Sequence, residues 1–172
     1  FVFETGHDAG YLAGLGIIDP AKTVVVRGAG VDPSIYFPAA NKRNDGKLRL
    51  LFASRLMTSK GLGLFLEAAR GFAGDDRIEF LVAGLSEEDD LIRSCDLVCL
   101  PTSYGEGVPR ILIEAAACGV AAIGSDIPGC REIIVDTETG FIVGGQTEPE
   151  RLSNLVDVIS LYLATPGLVE KH

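Results

Sequence analysis

Residues 97–132 read LVCLPTSYGEGVPRILIEAAACGVAAIGSDIPGCRE, and the order of their patterns decides the fold. Leu97-Val98-Cys99-Leu100 is an unbroken apolar run, the pattern of a strand buried on both faces. A loop rich in Pro, Ser and Gly follows, then a helix expected over 109–118, then a second strand over Val120–Gly124. Pro109 suits the first helical turn, where its missing N–H costs nothing. Gly107 lets a ligand approach the backbone closely. The first amides of a helix have no intrahelical acceptor, and the helix dipole favours negative charge there, so strand, glycine loop and helix N-terminus form a site for something anionic. Glu106 and Glu114 bracket the helix start with seven residues between them. The amides of Val108, Arg110 and Ile111 are free to cradle a phosphate or sugar hydroxyls, and Glu114 can accept hydrogen bonds from a diol such as a ribose. Ile111, Leu112 and Ala115 are expected to face the core. Taken alone, a helix-capping Glu106 and a solvated Glu114 explain the pattern about as well.

Outward from this stretch the chain keeps alternating. A strand is expected over Lys22–Arg27, ending in the turn cluster Gly28–Pro33, and residues 34–47 read as polar connection. Leu48–Ser54 is a buried strand, and 62–72 an amphipathic helix with Leu62, Phe65, Leu66 and Ala69 on one face. Ile78–Gly84 is a strand, followed by a helix over 86–94 with an acidic first turn from Ser86 and Glu87 to Asp90. A short helix is expected around Gly129–Val135, a last strand over Gly140–Val143, and a helix over 148–164 capped by Thr147 and stopped by Pro166-Gly167. Strands alternating with helices imply a parallel α/β sheet, Rossmann-like and covered on both faces, with ligands outside the carboxyl ends of its strands. Residues 1–20 read as a linker or remnant of a preceding domain, and 21–172 as one Rossmann-like ligand-binding domain.

Composition narrows the classes. The chain has 172 residues, 47% apolar and 23% charged, with 21 glycines, which suits a globular, loop-rich α/β domain. A net charge of −9 disfavours nucleic acid, whose binding rests on neutralising phosphates with Lys and Arg. A small anion remains compatible if a few cations are focused locally. Cys95, Cys99, Cys118 and Cys130 form no CxxC pair and have no His partner at metal spacing, so they read as reduced, buried thiols of a cytosolic protein. No membrane span or signal peptide is visible, though the patterns at Phe1 and at Lys171-His172 are those of a fragment.

Ser54-Arg55-Leu56-Met57-Thr58-Ser59-Lys60-Gly61 places an Arg and a Lys on the loop after a buried strand. Such a pair suits a diphosphate, with Arg binding bidentately and Lys as a point charge; ordinary surface charge is the plainer alternative. The glycine spacing is wrong for a Walker loop, and Gly14-Leu-Gly16, Gly28-Ala-Gly30 and Gly61-Leu-Gly63 do not complete a dinucleotide fingerprint. Gly124–Glu132 repeats the strand–loop–helix theme, with Gly129 able to admit a ligand and Glu132 able to cap or to pair with Arg131. His7 reads as a solvated loop histidine.

Together these segments resemble the second domain of retaining glycosyltransferases of family 4, which have the GT-B fold. The resemblance runs through RGAGVDPSIYFP, ASRLMTSKG, LVCLPTSYGEGVPRILIEAAACG, GSDIPGCREII and DTETGFIV. It is nearest to bacterial enzymes that build capsule, O-antigen or other lipid-linked surface glycans. The resemblance implies transfer of a sugar, with retention and without a metal or other cofactor, from a nucleotide-diphosphate sugar to a glycan or lipid-linked acceptor, UDP being the expected carrier. It puts Arg55 and Lys60 on the donor diphosphate, Glu106 on the sugar hydroxyls and Glu114 on the ribose, with Glu106, Arg55 and Lys60 as the catalytic set. The amides of Gly107, Val108, Arg110 and Ile111 would contact sugar and phosphate. It also implies a cytoplasmic enzyme, at the inner face of the membrane, whose acceptor-binding domain lies outside residues 21–172.

The family usually carries roughly one βα unit more, on the scale of ~30 residues, where this chain passes from Gly84 directly into Leu85. Either the unit is lost or residues are missing around Gly84–Leu85, and the second reading is preferred. Two other functions fit a GT-B half: a nucleotide-sugar epimerase, and a non-catalytic sugar-nucleotide binding module.

Overall fold

The computed structural model describes residues 1–40, 45–84, 89–105, 107–165 and 167–172. Its main sheet holds five parallel strands, and a small two-stranded parallel sheet precedes it. The chain runs β1 (Val2–Phe3), α1 (Gly6–Gly14), β2 (Val24–Val25), β3 (Leu48–Ala53), α2 (Leu62–Gly71), β4 (Ile78–Ala83) and α3 (Asp89–Ser94). It continues through β5 (Leu97–Leu100), α4 (Arg110–Ala117), β6 (Ala121–Ser125), α5 (Pro128–Arg131), β7 (Gly140–Val143), α6 (Glu148–Ala164) and α7 (Leu168–Lys171).

Side chains on a strand alternate between faces, so each apolar run feeds two cores at once. Leu50, Phe52, Leu97, Cys99 and Ile123 point to the face covered by α2 and α6, meeting Phe65, Leu155 and Ile159. Leu51, Val98, Leu100 and Ala122 point to the other, meeting Ile92 of α3 and Leu112 and Ala115 of α4. Aromatic rings lock the first layer: Phe65 lies 5.5 Å from Phe52 and 5.5 Å from Phe80, the second pair edge-on. This is the α/β sheet covered on both faces that the alternating pattern implies.

The order across the sheet is β4-β3-β5-β6-β7. From β3 the chain steps outward to β4, then crosses back over to β5 on the other side of β3. The reversal opens a crevice between the carboxyl ends of β3 and β5, where ligands bind in sheets of this kind. The loop holding Arg55 and Lys60 leaves β3, and the loop leading to α4 leaves β5.

Several local expectations need correction. The strand expected over Lys22–Arg27 shrinks to Val24–Val25, pairs only with β1 and leaves Val24 and Val26 more than half exposed. β-branched residues favour extended backbone but cannot say whether a sheet will receive them. On α2 the buried residues are Leu64, Phe65 and Ala68, while Leu66 is 43% exposed, so the core face is rotated from the expected one. The helix expected around Gly129–Val135 is confined to Pro128–Arg131. His7 is exposed as expected, but on α1 rather than a loop. Thr147 caps α6 in a full capping box with Glu150. The acidic turn Ser86–Glu88 and the stop at Pro166 lie outside the described residues. All four cysteines are buried, and none is in a disulfide.

Candidate functional site

The two loops at the crevice are tied to each other. Ser59 presents its carbonyl to the Thr102 hydroxyl at 3.0 Å and to the Ser103 amide at 3.0 Å. Between Ser59 and α2 the chain makes a single 3-10 turn, Thr58–Lys60, and Gly61 then takes a left-handed conformation with φ 86°. A side chain at Gly61 would strike the Pro101 carbonyl, so only glycine lets the loops come this close. The turn buries Lys60 and places its ammonium 5.9 Å from the centre of the Tyr104 ring. Arg55 stays exposed on the same loop. Two cations thus stand at the carboxyl end of β3, one sheltered and one in solvent.

On the β5 side, Pro109 is the N-cap of α4, and Arg110 and Ile111 occupy the first turn, where the helix supplies no acceptor for their amides. Ile111, Leu112 and Ala115 are buried, as the apolar spacing requires. Gly107 and Val108 meet an unexpected partner. The Val108 amide donates to Glu4 Oε2 at 3.2 Å, and a side chain at Gly107 would collide with the same carboxylate. Glu106 lies outside the described residues.

Glu114 is not the solvated carboxylate that residue type alone allows. It is only 5% exposed and accepts from Arg110 Nε at 2.7 Å. The Tyr36 phenol lies beside both partners, and burial, then the neighbouring Glu114 carboxylate, raises it above its ordinary value. The same carboxylate raises Arg110. Neither Tyr36 nor Glu4 is legible as a site residue in the sequence: Tyr36 stands in the RGAGVDPSIYFP segment, but nothing there marks it as a neighbour of Glu114, and Glu4 reaches Val108 only through the tertiary fold. The motif at Gly124–Glu132 serves structure: Arg131 Nε meets Asp126 at 2.6 Å, whereas Glu132 turns to Arg27 at 2.9 Å and to the Gly6 amide at 3.3 Å. Gly129 is buried. Among the described residues no group of three or more His, Cys, Asp or Glu could hold a metal ion.

Two cations, the start of α4 and a buried carboxylate thus stand around the crevice. Residues 85–161 match the family model of the glycosyl transferases group 1. Among curated proteins the chain is 26% identical, over 198 aligned positions and 95% of its length, to N,N'-diacetylbacillosaminyl-diphospho-undecaprenol alpha-1,3-N-acetylgalactosaminyltransferase of Campylobacter jejuni. It spans 50% of that relative's length. Sucrose-phosphate synthase from Thermosynechococcus elongatus superimposes with a TM-score of 0.77 at 18% identity, covering 99% of this chain and 50% of that one. Anabaena HepE in complex with UDP and glucose gives 0.69 at 16% identity, covering 99% and 56%. The fold is therefore the Rossmann-like α/β fold that these structures share, and the stretch similar to the glycosyl transferases group 1 includes α4 and the sequence from Glu106 to Glu114. Among the described residues no helix is long and apolar enough to cross a membrane.

Proposed function

We propose that this chain is the donor-binding half of a retaining, metal-independent glycosyltransferase of family 4. It takes a sugar from a nucleotide-diphosphate sugar, UDP-linked, and transfers it to a glycan or lipid-linked acceptor held by a further domain of the full-length protein, at the inner face of the cytoplasmic membrane. The observation that carries the reading is the pairing of the Lys60 loop with the loop that leaves β5 and leads to α4 and its buried Glu114. The C. jejuni relative acts, by its name, on a diphospho-undecaprenol-linked sugar, and HepE is a structure with UDP and glucose; both support the substrate classes proposed.

In this reading Arg55 and Lys60 neutralise the diphosphate as it departs, helped by the amides of Val108, Arg110 and Ile111. Fixed charges and dipoles aimed at a leaving group stabilise the transition state without reorganising. Glu106 holds the sugar hydroxyls and Glu114 the ribose. The acceptor hydroxyl enters on the face the diphosphate leaves, which preserves the anomeric configuration. Residues 1–20 serve as the passage from the acceptor domain. The C. jejuni alignment is longer than this chain, 198 positions against 172 residues, which supports a fuller enzyme; the additional residues are proposed to lie between Gly84 and Leu85.

The test is substitution in the full-length enzyme. Lys60→Ala and Glu114→Ala should each cut turnover of UDP-sugar by about a hundredfold or more, the scale set by losing a charged hydrogen bond. Wild-type rates in both variants would remove the assignment. Isomerised donor formed with no acceptor present would point to an epimerase instead.

A further inference from the structure

Resting on the donor-binding reading above, we propose that Arg110 is an intramolecular placeholder for the nucleotide ribose, occupying Glu114 until a vicinal diol takes its place, with Tyr36 holding the carboxylate in position throughout.

The pair is asymmetric. The Arg110 side chain is 69% exposed and the Glu114 side chain 7%. Glu114 is held within the α4 face of the core, whereas Arg110 meets it from the solvent side and can leave. A buried carboxylate accepts hydrogen bonds and donates none, so whatever replaces Arg110 must bring donors. A guanidinium presents neighbouring N–H groups in a flat fork. A cis-diol presents two neighbouring O–H groups, one for the Oε1 that Arg110 Nε now occupies and one for Oε2. A 2′-deoxyribose offers one, and would leave part of the carboxylate unpaired. Sites built around a buried polar group reject ligands that lack its partner.

Tyr36 is the fixed member. It belongs to the segment after Gly30 and packs against the same core face as α4. Its neighbours are clamped: Arg93 of α3 donates through Nη1 to the Ile35 carbonyl and lies 4.7 Å from the centre of the Phe37 ring. The Tyr36 side chain packs on the core face that α4 covers, with its phenol beside Glu114 and Arg110. When the guanidinium departs, this hydroxyl remains to orient the carboxylate toward the incoming ribose. Arg110 competes with the ligand, and Tyr36 is a positioning residue that acts through Glu114.

The experiment is calorimetric titration of the full-length protein with UDP and with 2′-deoxy-UDP, folding of each variant being checked by circular dichroism. Wild type should prefer UDP by about tenfold or more, the worth of one hydrogen bond to a charged group. Arg110→Met should tighten UDP by about fivefold and widen the preference, because no internal partner has to be displaced. Arg110→Lys, which keeps the charge without the fork, should fall between wild type and Arg110→Met and serves if the methionine variant does not fold. Tyr36→Phe should weaken UDP by about tenfold with a smaller loss for 2′-deoxy-UDP, narrowing the preference. If Arg110→Met weakens both nucleotides alike, Arg110 is a ligand for the diphosphate and the placeholder is wrong. If wild type binds UDP without preference for the ribose, the placeholder fails while the donor reading stands. If wild type binds neither nucleotide, both fail.

Discussion

Gly61 and Pro101 meet so closely that a Cβ on Gly61 would lie 2.0 Å from the Pro101 carbonyl oxygen. This approach joins the loop carrying Lys60 to the loop leading into α4. Gly61→Ala therefore faces two penalties, a left-handed φ of 86° and a backbone collision. The left-handed term alone costs about 1–2 kcal/mol. With the collision the loss should exceed about 2 kcal/mol, a fall in Tm of ~5 °C or more for a domain of this size. Gly63→Ala is the control: it lies inside α2 with nothing within 4 Å of the added methyl, and should stabilise by about 0.5–1 kcal/mol. Thermal unfolding followed by circular dichroism measures both. UDP binding should fall in the first variant and persist in the second.

The contact between Glu4 and the Val108 amide yields a second prediction. A carboxylate at the start of α4 enjoys the helix dipole, but it also repels any phosphate seeking the same amides. Glu4→Gln keeps a hydrogen-bond acceptor at Val108 and removes the charge. Stability should drop by no more than about 1 kcal/mol, while UDP binding should tighten by about two- to fivefold at low salt. The gain should shrink as salt screens the repulsion. Calorimetry at two ionic strengths decides it; weaker binding in Glu4→Gln would show that the carboxylate helps the ligand.

How much of this was legible follows from which signals are local. β3, β5 and β6 are readable because a strand buried on both faces must be an apolar run, and LRLLFA, LVCL and AAIGS are nearly that. The crevice follows, since both motifs sit after such strands. The face of α2 was not readable: Leu62, Leu64, Phe65, Leu66, Ala68 and Ala69 surround much of the helix, so spacing alone chose wrongly and packing against Phe52 and Phe80 decided. Lys60 could be read as a diphosphate ligand or as surface charge, because nothing local reveals that Tyr104 lies over it and that Pro101 packs on the adjoining Gly61. Tyr36 and Glu4 needed the tertiary fold itself.

Acid should weaken the corner where β3 begins. Arg49 of β3 is buried; its guanidinium meets Asp45 and, at 3.0 Å, Glu79, while its amide donates to Asp96 at 2.7 Å. Hydrogen bonds from Arg49 hold the Asp45 carboxyl down to about 2, against 3.8 when unpaired. A depressed folded value means the contribution is complete above 3.8 and disappears as the pH falls through about 2. Asp45→Asn should therefore melt below wild type at pH 7, and the gap should close between pH 4 and pH 2. A gap independent of pH over that range would show that the carboxylate charge is irrelevant there.

The four cysteines give the sharpest test of the packed core. None is more than 2% exposed, and burial pushes the Cys95 thiol up to about 11 and the Cys99 thiol higher still. Only the thiolate attacks a disulfide reagent. At pH 8 a thiol titrating near 11 is ionised to about one part in a thousand, so access and ionisation both oppose reaction. Native protein should therefore label slowly, through opening of the fold, and four thiols should appear at once in denaturant. Nucleotide bound in the β3–β5 crevice should slow the native reaction further, because it stabilises the closed form by mass action. Rapid labelling of Cys95 in native protein would mean that the corner between α3 and β5 opens on its own, since Cys95 and Asp96 are the two residues that join them.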